Sequence, residues 1–190
     1  MTYKIIGDSC LDLTEELKRD PRFQMVPLTL QVGAAQVVDD ETFDQKAFIR
    51  MVKECPECPK TACPSPEIFK EAYEAADAEA VFVITLSSHL SGSYNSAALA
   101  TQLYEEEMKE KGITSSKKIE VLDSESASAG QLEQALYIRD LCEQGLNFEE
   151  VVERKRRIRS WNISMSICRR ILRFYPVKWL RSVSTAAFQQ

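Results

Sequence analysis

Apolar residues recur along the chain with two spacings, one typical of buried strands and one typical of helices that pack on a sheet. A continuous apolar run predicts a strand at residues 81–85, and short, largely apolar segments predict strands at 3–6 and 118–122. Alternating apolar and polar residues predict a half-buried strand over 25–32, and residues 36–38 are placed to pair with it. Each of the three apolar runs ends in a group of polar residues, which predicts a turn there.

Helical spacing fills most of the intervals between these strands. Ser65 is suited to the N-cap of a helix and Pro66 to its first helical position. Gly145 is suited to a helix C-terminus. The predicted helices span residues 44–54, 65–76, 92–111 and 128–143, with a short one ending at 19 and another starting at 148. Strands that alternate with helices predict an α/β fold with a layered, largely parallel sheet flanked by helices.

Size and composition are those of a globular domain. The chain has 190 residues, of which 44% are hydrophobic and 28% charged. No apolar run approaches the roughly 18 residues that a membrane-spanning helix needs, and the N-terminus lacks the layout of a signal peptide. We therefore expect a cytoplasmic protein.

Six cysteines raise the question of a metal or redox site. Cys55 and Cys58 form a CxxC pair, and Cys63 follows five residues later. Structural zinc takes four ligands, and the only histidine is His89. A redox CxxC is expected at the start of a helix in a βαβ unit, whereas this pair lies in a Pro-rich stretch typical of a loop. We expect surface thiols, no metal and no cofactor.

A serine-rich segment, residues 85–97, follows one apolar run and leads into a long predicted helix. The first N–H groups of a helix have no partner within it, and the helix dipole places partial positive charge there. Hydroxyls beside such N–H groups can hold a phosphate or a carboxylate. The alternative is an ordinary N-cap, which Ser91 or Ser93 alone could supply.

Polar residues follow three predicted parallel strands, and these positions should meet at one edge of the sheet. The three segments are Asp8-Ser9, residues 85–93 and Asp123-Ser124. Ligands of open α/β sheets bind beyond the carboxyl ends of the strands. Asp and Ser are also common turn residues, so the argument depends on all three loops together.

Four segments carry a resemblance to a known family. They are DSCLDL at 8–13, KTACPSP at 60–66, LSSHLSGSYNSA at 86–97 and DSESASAG at 123–130. In this order they resemble the DegV family of bacterial fatty-acid-binding proteins, over residues 1–153. The resemblance implies a lipid-binding protein that holds a long-chain fatty acid by its carboxylate and presents it to a separate fatty acid kinase. Such a protein is a carrier and not an enzyme.

The resemblance also assigns residues to the carboxylate. It implies Thr61 together with a serine of Ser91-Gly92-Ser93, and Ser91 is the preferred one. Ser9 and Ser124 are further candidates, from the two neighbouring loops. Two positions depart from the family pattern, since Ala62-Cys63 replace the usual Ser-Gln and Ser93 stands where Thr is common. His89 falls at a variable position, so we interpret it as a loop residue and not a catalytic base.

The resemblance ends near residue 153, where the charge pattern also changes. Residues 1–153 hold 29 acidic and 14 basic residues, whereas residues 154–190 hold 10 basic and no acidic ones. Family members continue into a second α/β lobe, and the acyl chain lies in the crevice between the lobes. We therefore divide the chain into a DegV-like N-terminal lobe at 1–153 and a basic tail at 154–190, with the second lobe missing or incomplete.

Three interpretations of the tail stay open. It is a truncated or out-of-frame remnant of the second lobe, a basic amphipathic segment that contacts a membrane surface or nucleic acid, or a shortened lobe that still folds. No nucleic-acid partner is expected for the lobe itself. In family members the second lobe covers one side of the acyl chain. If that lobe is missing, this side lies in water, so weak or absent lipid binding is expected for the 190-residue chain.

Two other functions compete with the carrier. The same Ser- and Thr-rich loops could serve a hydrolase or phosphotransferase, but the chain has no Gly-x-Ser-x-Gly elbow, no Walker loop and only one histidine. The basic tail could make the protein an interaction module, and steep salt dependence of nucleic-acid binding would then be expected.

Overall fold

The structure is a computed structural model that describes residues 1–113 and 117–157. Its strands are β1 (Tyr3–Asp8), β2 (Phe23–Val26), β3 (Thr29–Val32), β4 (Ala35–Val38), β5 (Lys60–Ala62), β6 (Ala80–Thr85) and β7 (Lys118–Asp123). Its helices are α1 (Glu15–Lys18), α2 (Gln45–Glu54), α3 (Pro66–Ala75), α4 (Ser93–Glu110), α5 (Ala129–Glu143) and α6 (Phe148–Arg157).

The described residues form a main sheet of four parallel strands in the order β2-β1-β6-β7. All six residues of β6 are buried, as the apolar sequence Ala-Val-Phe-Val-Ile predicts for a central strand covered on both faces. The prediction of an α/β fold with a largely parallel sheet flanked by helices is confirmed.

Successive residues of the central strands point into two separate cores. Ile5 and Phe82 belong to a core shared with α1, α5 and α6, whereas Ile6 and Val83 belong to a core shared with α3 and α4. Side chains alternate between the faces of a strand, so the continuous apolar runs supply both cores at once. The sheet is therefore held rigidly between two helical layers, and its carboxyl edge projects the loops that follow β1, β6 and β7.

A second, antiparallel sheet has the strand order β4-β3-β5. The prediction of one strand over residues 25–32 is wrong, because Val26 ends β2 in the main sheet and Thr29 begins β3 in the small one. Pro27 has no N–H for a strand ladder, and the N–H of Leu28 donates to Ser9 Oγ at 3.1 Å. The pairing of 36–38 with this region is confirmed as the β3–β4 hairpin.

Strand β5 is an element that the apolar pattern does not predict. It has three residues, all exposed, and pairs with β3 through Leu30 opposite Thr61. An exposed three-residue strand carries no hydrophobic periodicity, so its position depends on its partner strand. The small sheet consequently carries Thr61 on an exposed strand.

Helix α6 runs along the edge strand β7 and continues past residue 153. Phe148 stacks on Phe82 with ring centroids 5.3 Å apart, and Arg156 pairs with Glu120 at 2.6 Å. Residues 154–157 are therefore part of a packed helix, while the division into lobe and tail stays a prediction. Residues 158–190, which make up most of the predicted tail, lie outside the described residues. No helix in the described part of the chain is long and apolar enough to cross a membrane.

Candidate ligand site at the carboxyl edge of the sheet

The three predicted loops meet at the carboxyl edge of the main sheet. The N–H of Leu86 donates to Asp8 Oδ2 at 2.7 Å, and the N–H of Ser88 donates to Asp123 Oδ1 at 3.1 Å. The N–H of Ser87 donates to the carbonyl of Ser126 at 2.9 Å. The loop after β6 is thus held between the loops after β1 and β7, as the parallel order requires.

Asp8 lies at the centre of this arrangement and is fully buried. Besides Leu86, it accepts a hydrogen bond from Gln131 Nε2 at 3.0 Å. Burial raises the pKa of Asp8 above its ordinary value, and hydrogen bonds to the side chain oppose that rise. The site therefore contains a buried carboxyl group whose two oxygens both accept hydrogen bonds.

Ser91 and Ser93 form a hydroxyl pair at the start of α4. Their Oγ atoms are 2.9 Å apart, and the N–H of Ser93 donates to Ser91 Oγ at 3.2 Å. Gly92 occupies the N-cap position and Ser93 is the first helical residue. Ser93 is completely buried while Ser91 is half-buried, so Ser91 is the member of the pair that a ligand can reach.

The segment after β5 is attached to the same helix start. Ser96 Oγ donates to the carbonyl of Pro64 at 2.5 Å. A Cβ added to Gly92 would lie 3.0 Å from Cys63 Sγ, so the backbone at Gly92 and the Cys63 side chain are in close contact. Thr61 lies two residues before Cys63 on β5 and is exposed. The fold therefore brings the Thr61 segment to the Ser91–Ser93 turn, although 30 residues of sequence separate them.

Ser9 and Ser124 use their hydroxyls within the protein. Ser9 Oγ accepts the N–H of Leu28, which fixes the junction between β2 and β3. Ser124 Oγ donates to the carbonyl of Ser126 at 3.0 Å and accepts the N–H of Ser126 at 3.1 Å. Both residues lie at the predicted edge, and their role as ligand contacts stays a prediction.

The loop after β7 contains charged groups that hold the neighbouring loop. Burial opposes ionisation of Asp123, but hydrogen bonds from Ser88 and from the N–H of Glu125 lower its pKa. Lys155 of α6 is buried, and burial lowers its pKa while the nearby charges of Glu125 and Asp123 raise it. Lys155 therefore lies near Glu125 and Asp123 at this end of the sheet, although it is beyond the predicted boundary at 153.

Sequence analysis missed Gln131 and Gln134, which support the site from α5. Gln131 bonds to Asp8, and Gln134 Nε2 donates to the carbonyl of Ser124 at 2.7 Å. Both are almost entirely buried. The sequence feature that could have revealed them is the presence of two glutamines on the apolar face of a predicted helix, because a buried amide needs hydrogen-bond partners. Thr85 Oγ1 is also buried at this edge and has no hydrogen-bond partner within the described residues.

The chemistry available here is hydrogen-bond donation to an anion. Hydroxyl groups and the partial positive charge at the start of α4 favour a small negatively charged group. The described residues contain no group of three or more His, Cys, Asp or Glu side chains that could hold a metal ion. Cys58 and Cys63 are free and exposed, as expected for surface thiols. His89 is exposed, and its backbone N–H donates to Ser87 Oγ at 3.3 Å.

Comparison with known sequences gives a family match over most of the chain. A family model described as an uncharacterised protein of the DegV family matches residues 2–170. A DegV domain-containing protein of Streptococcus pneumoniae (strain ATCC BAA-255 / R6) is 39% identical over 156 residues, which are 80% of this chain and 52% of that protein. The chain thus spans about half the length of the curated relatives it matches.

Solved structures agree with this match in fold and coverage. A DegV family protein from Ruminococcus gnavus, described with vaccenic acid, is 44% identical with a TM-score of 0.75, covering 82% of this chain and 53% of that one. The Streptococcus pneumoniae Fatty Acid Kinase (Fak) B3 protein, loaded with linoleic acid, is 37% identical with a TM-score of 0.70, again covering 82% and 53%.

Proposed function

Because the chain belongs to the DegV family, we propose that it binds a long-chain fatty acid by its carboxylate, as a carrier for a separate fatty acid kinase. The observation that carries this proposal is the hydroxyl pair Ser91–Ser93 at the start of α4, to which the Thr61 segment is attached. One carboxylate has two oxygens and can accept from Ser91 and Thr61 together.

The similar structures support the class of ligand. The proteins from Ruminococcus gnavus and Streptococcus pneumoniae are described with vaccenic and linoleic acid, and the second is named as a fatty acid kinase B protein. Because of that name, our proposal for this chain includes a fatty acid kinase as its partner. The chain itself acts as a binding protein with no reaction of its own.

Native mass spectrometry of the purified 190-residue chain, before and after organic extraction, tests the proposal directly. The proposal predicts a bound mass that matches a fatty acid and that extraction removes, whereas the incomplete second lobe inferred from the sequence predicts low or absent occupancy. A chain that stays free of lipid after incubation with palmitate and oleate would overturn the proposal for this chain.

Two substitutions test the assigned residues. Each hydrogen bond to a charged group contributes roughly 1.5–3 kcal/mol, so Thr61→Ala and Ser91→Ala should each weaken fatty-acid binding by about 10- to 100-fold. Thr101→Ala is the matched control, because Thr101 Oγ1 donates to the carbonyl of Ala97 within α4. Equal affinities for all three variants and the unmodified chain would contradict the assignment.

A further inference from the structure

One buried hydroxyl at the carboxyl edge of the sheet has no hydrogen-bond partner. Thr85 is the last residue of β6 and is completely buried. Its Oγ1 bonds to no other group within the described residues. Buried side-chain oxygens in folded proteins are almost always paired, and one that is left unpaired lowers stability. A valine has nearly the same shape and would fill this position without an unpaired hydroxyl.

The alternation of side chains along β6 places Thr85 on the α4 side of the main sheet. Phe82 and Ile84 belong to the core shared with α5, whereas Val81 and Val83 belong to the core shared with α3 and α4. Successive side chains of a strand point to opposite faces, so Thr85 continues the row of Val81 and Val83. Because Thr85 is the last residue of the strand, it lies at the carboxyl end of this row.

The start of α4 and the candidate ligand contact lie at the same end of β6. Ala97, near the start of α4, packs in the same core as Val83. The loop between β6 and α4 turns back on itself, because the N–H of Ser91 donates to the carbonyl of Ser87 at 3.0 Å. Ser91 is therefore held close to the end of β6. A carboxylate bound by Ser91 arrives at the end of the strand where Thr85 lies.

The two carboxyl groups on the neighbouring strands already accept other hydrogen bonds. Asp123 lies opposite Thr85 in the ladder between β6 and β7, and it accepts two backbone N–H groups at 3.1 and 2.9 Å. Asp8 ends β1, and both of its oxygens accept amide hydrogens. The other buried oxygens without a partner in the described part of the chain, Oε1 of Glu133 and of Gln134, belong to α5. On the α4 side, the hydroxyl of Thr85 is thus a donor that lacks an acceptor.

We propose that Thr85 is a third hydroxyl of the head-group site and that its Oγ1 donates to the ligand carboxylate that Ser91 and Thr61 bind. This inference rests on the proposed function and adds a residue to it. The two oxygens of a carboxylate offer about four acceptor positions, so one head group can accept from three hydroxyls. Because Thr85 is fully covered in the free chain, the covering groups move when the carboxylate enters. Ligand binding then supplies the acceptor that Thr85 lacks.

Two substitutions separate the hydroxyl of Thr85 from its shape. Thr85→Val removes the hydroxyl and keeps the branched side chain, whereas Thr85→Ser keeps the hydroxyl and removes the methyl group. Isothermal titration calorimetry of the 190-residue chain with decanoate, below its micellar concentration at pH 8, measures the affinities. Loss of one hydrogen bond to a charged group predicts roughly 10- to 100-fold weaker binding for Thr85→Val. Thr85→Ser should keep most of the affinity.

Urea unfolding without ligand gives a second readout, which a purely structural role of the hydroxyl would move in the opposite direction. Thr85→Val removes no hydrogen bond from the free chain, so it should unfold at the same or a higher urea concentration than the unmodified chain. Thr101→Val is the matched control for affinity, because the Thr101 hydroxyl donates to the carbonyl of Ala97 within α4. It should bind decanoate as the unmodified chain does.

Three results would overturn the role of Thr85 and leave the fatty-acid proposal standing. They are unchanged affinity in Thr85→Val, equal loss of affinity in Thr85→Val and Thr85→Ser, and unfolding of Thr85→Val at a lower urea concentration. The last result would show that the hydroxyl has a partner in the free chain. Failure of the unmodified chain to bind any fatty acid would instead overturn the proposed function and, with it, the role assigned to Thr85.

Discussion

Two adjacent hydroxyls at the start of α4 have different environments and, we infer, different tasks. Ser93 is fully buried, and its Oγ lies 2.9 Å from Ser91 Oγ. Ser91 is half-buried and sits one step nearer to solvent. The resemblance already prefers Ser91 as the ligand contact, and the complete burial of Ser93 supports that proposal.

Gly92 lies between these serines and makes the closest approach to the β5 segment. Its φ is −75°, which any residue can adopt, but an added Cβ would meet Cys63 Sγ at 3.0 Å. We expect Gly92→Ala to displace the β5 segment from α4 and to weaken fatty-acid binding, at a cost of about 1 kcal/mol in unfolding free energy. Both effects can be measured by calorimetry and urea unfolding.

The control for Gly92→Ala is the double variant with Cys63→Ala, which removes the sulfur that the new methyl group meets. If contact with Cys63 is the cause, the double variant should recover both affinity and stability. A double variant as impaired as Gly92→Ala would show that the contact does not explain the defect.

At the scale of elements, α5 has two functions on one surface. Ile138 and Leu141 pack into the core beneath the sheet, while Gln131 and Gln134 nearer its start hold the loops after β1 and β7. The helix therefore couples the hydrophobic core to the candidate site.

Glu133, on the next flank of α5, is buried and its Oε1 has no hydrogen-bond partner within the described residues.

Burial raises the pKa of Glu133 to about 7 from 4.5. The folded state therefore binds a proton more tightly than the unfolded state, so stability is present at acidic pH and falls as the pH rises from about 4.5 through about 7. Glu133→Gln removes this loss and should raise the unfolding free energy by about 1–3 kcal/mol at pH 8. It should have little effect at pH 4.

Urea unfolding at both pH values measures this prediction. Glu106→Gln is a suitable comparison, because Glu106 is exposed within α4. A Glu133→Gln variant that is no more stable than the unmodified chain at pH 8 would show that this carboxylate finds a partner in solution.

At the scale of the whole molecule, the chain carries the candidate head-group site and spans about half of its relatives' length. Head-group recognition and enclosure of an acyl chain are separate tasks. The first needs only the carboxyl edge of the sheet, whereas the second needs apolar walls around many methylene groups. The dependence of affinity on acyl chain length separates these tasks.

A fully enclosed methylene contributes about 0.8 kcal/mol. The sequence interpretation of a missing or incomplete second lobe predicts roughly half of this per added methylene for the 190-residue chain, whereas a complete pocket predicts the full value. Affinities for saturated fatty acids of increasing length, measured by calorimetry, give the slope. Thr61→Ala should lower every affinity without changing the slope, and a slope near the full value would show that the chain encloses its ligand.

Much of this fold follows from local patterns. Strand β6 could be predicted because a strand buried on both faces needs continuous apolar sequence, and β1 and β7 could be predicted as short, largely apolar segments that end in polar residues. The caps at Pro66 and Gly145 could be predicted because they depend on the backbone chemistry of single residues. The break between β2 and β3 and the exposed strand β5 could not, since they depend on Ser9 and on β3, which are distant in sequence.

The sequence by itself determined the α/β class, the three polar loops at one edge of the sheet and the resemblance that points to a carboxylate ligand. These are properties of short segments and of their order. Only the tertiary structure decided that Asp8 is buried, that Gln131 donates a hydrogen bond to it, and that the Thr61 segment is tied to α4 through Ser96. The physical reason is that burial and hydrogen-bond direction belong to groups brought together from distant positions, and no local pattern encodes them.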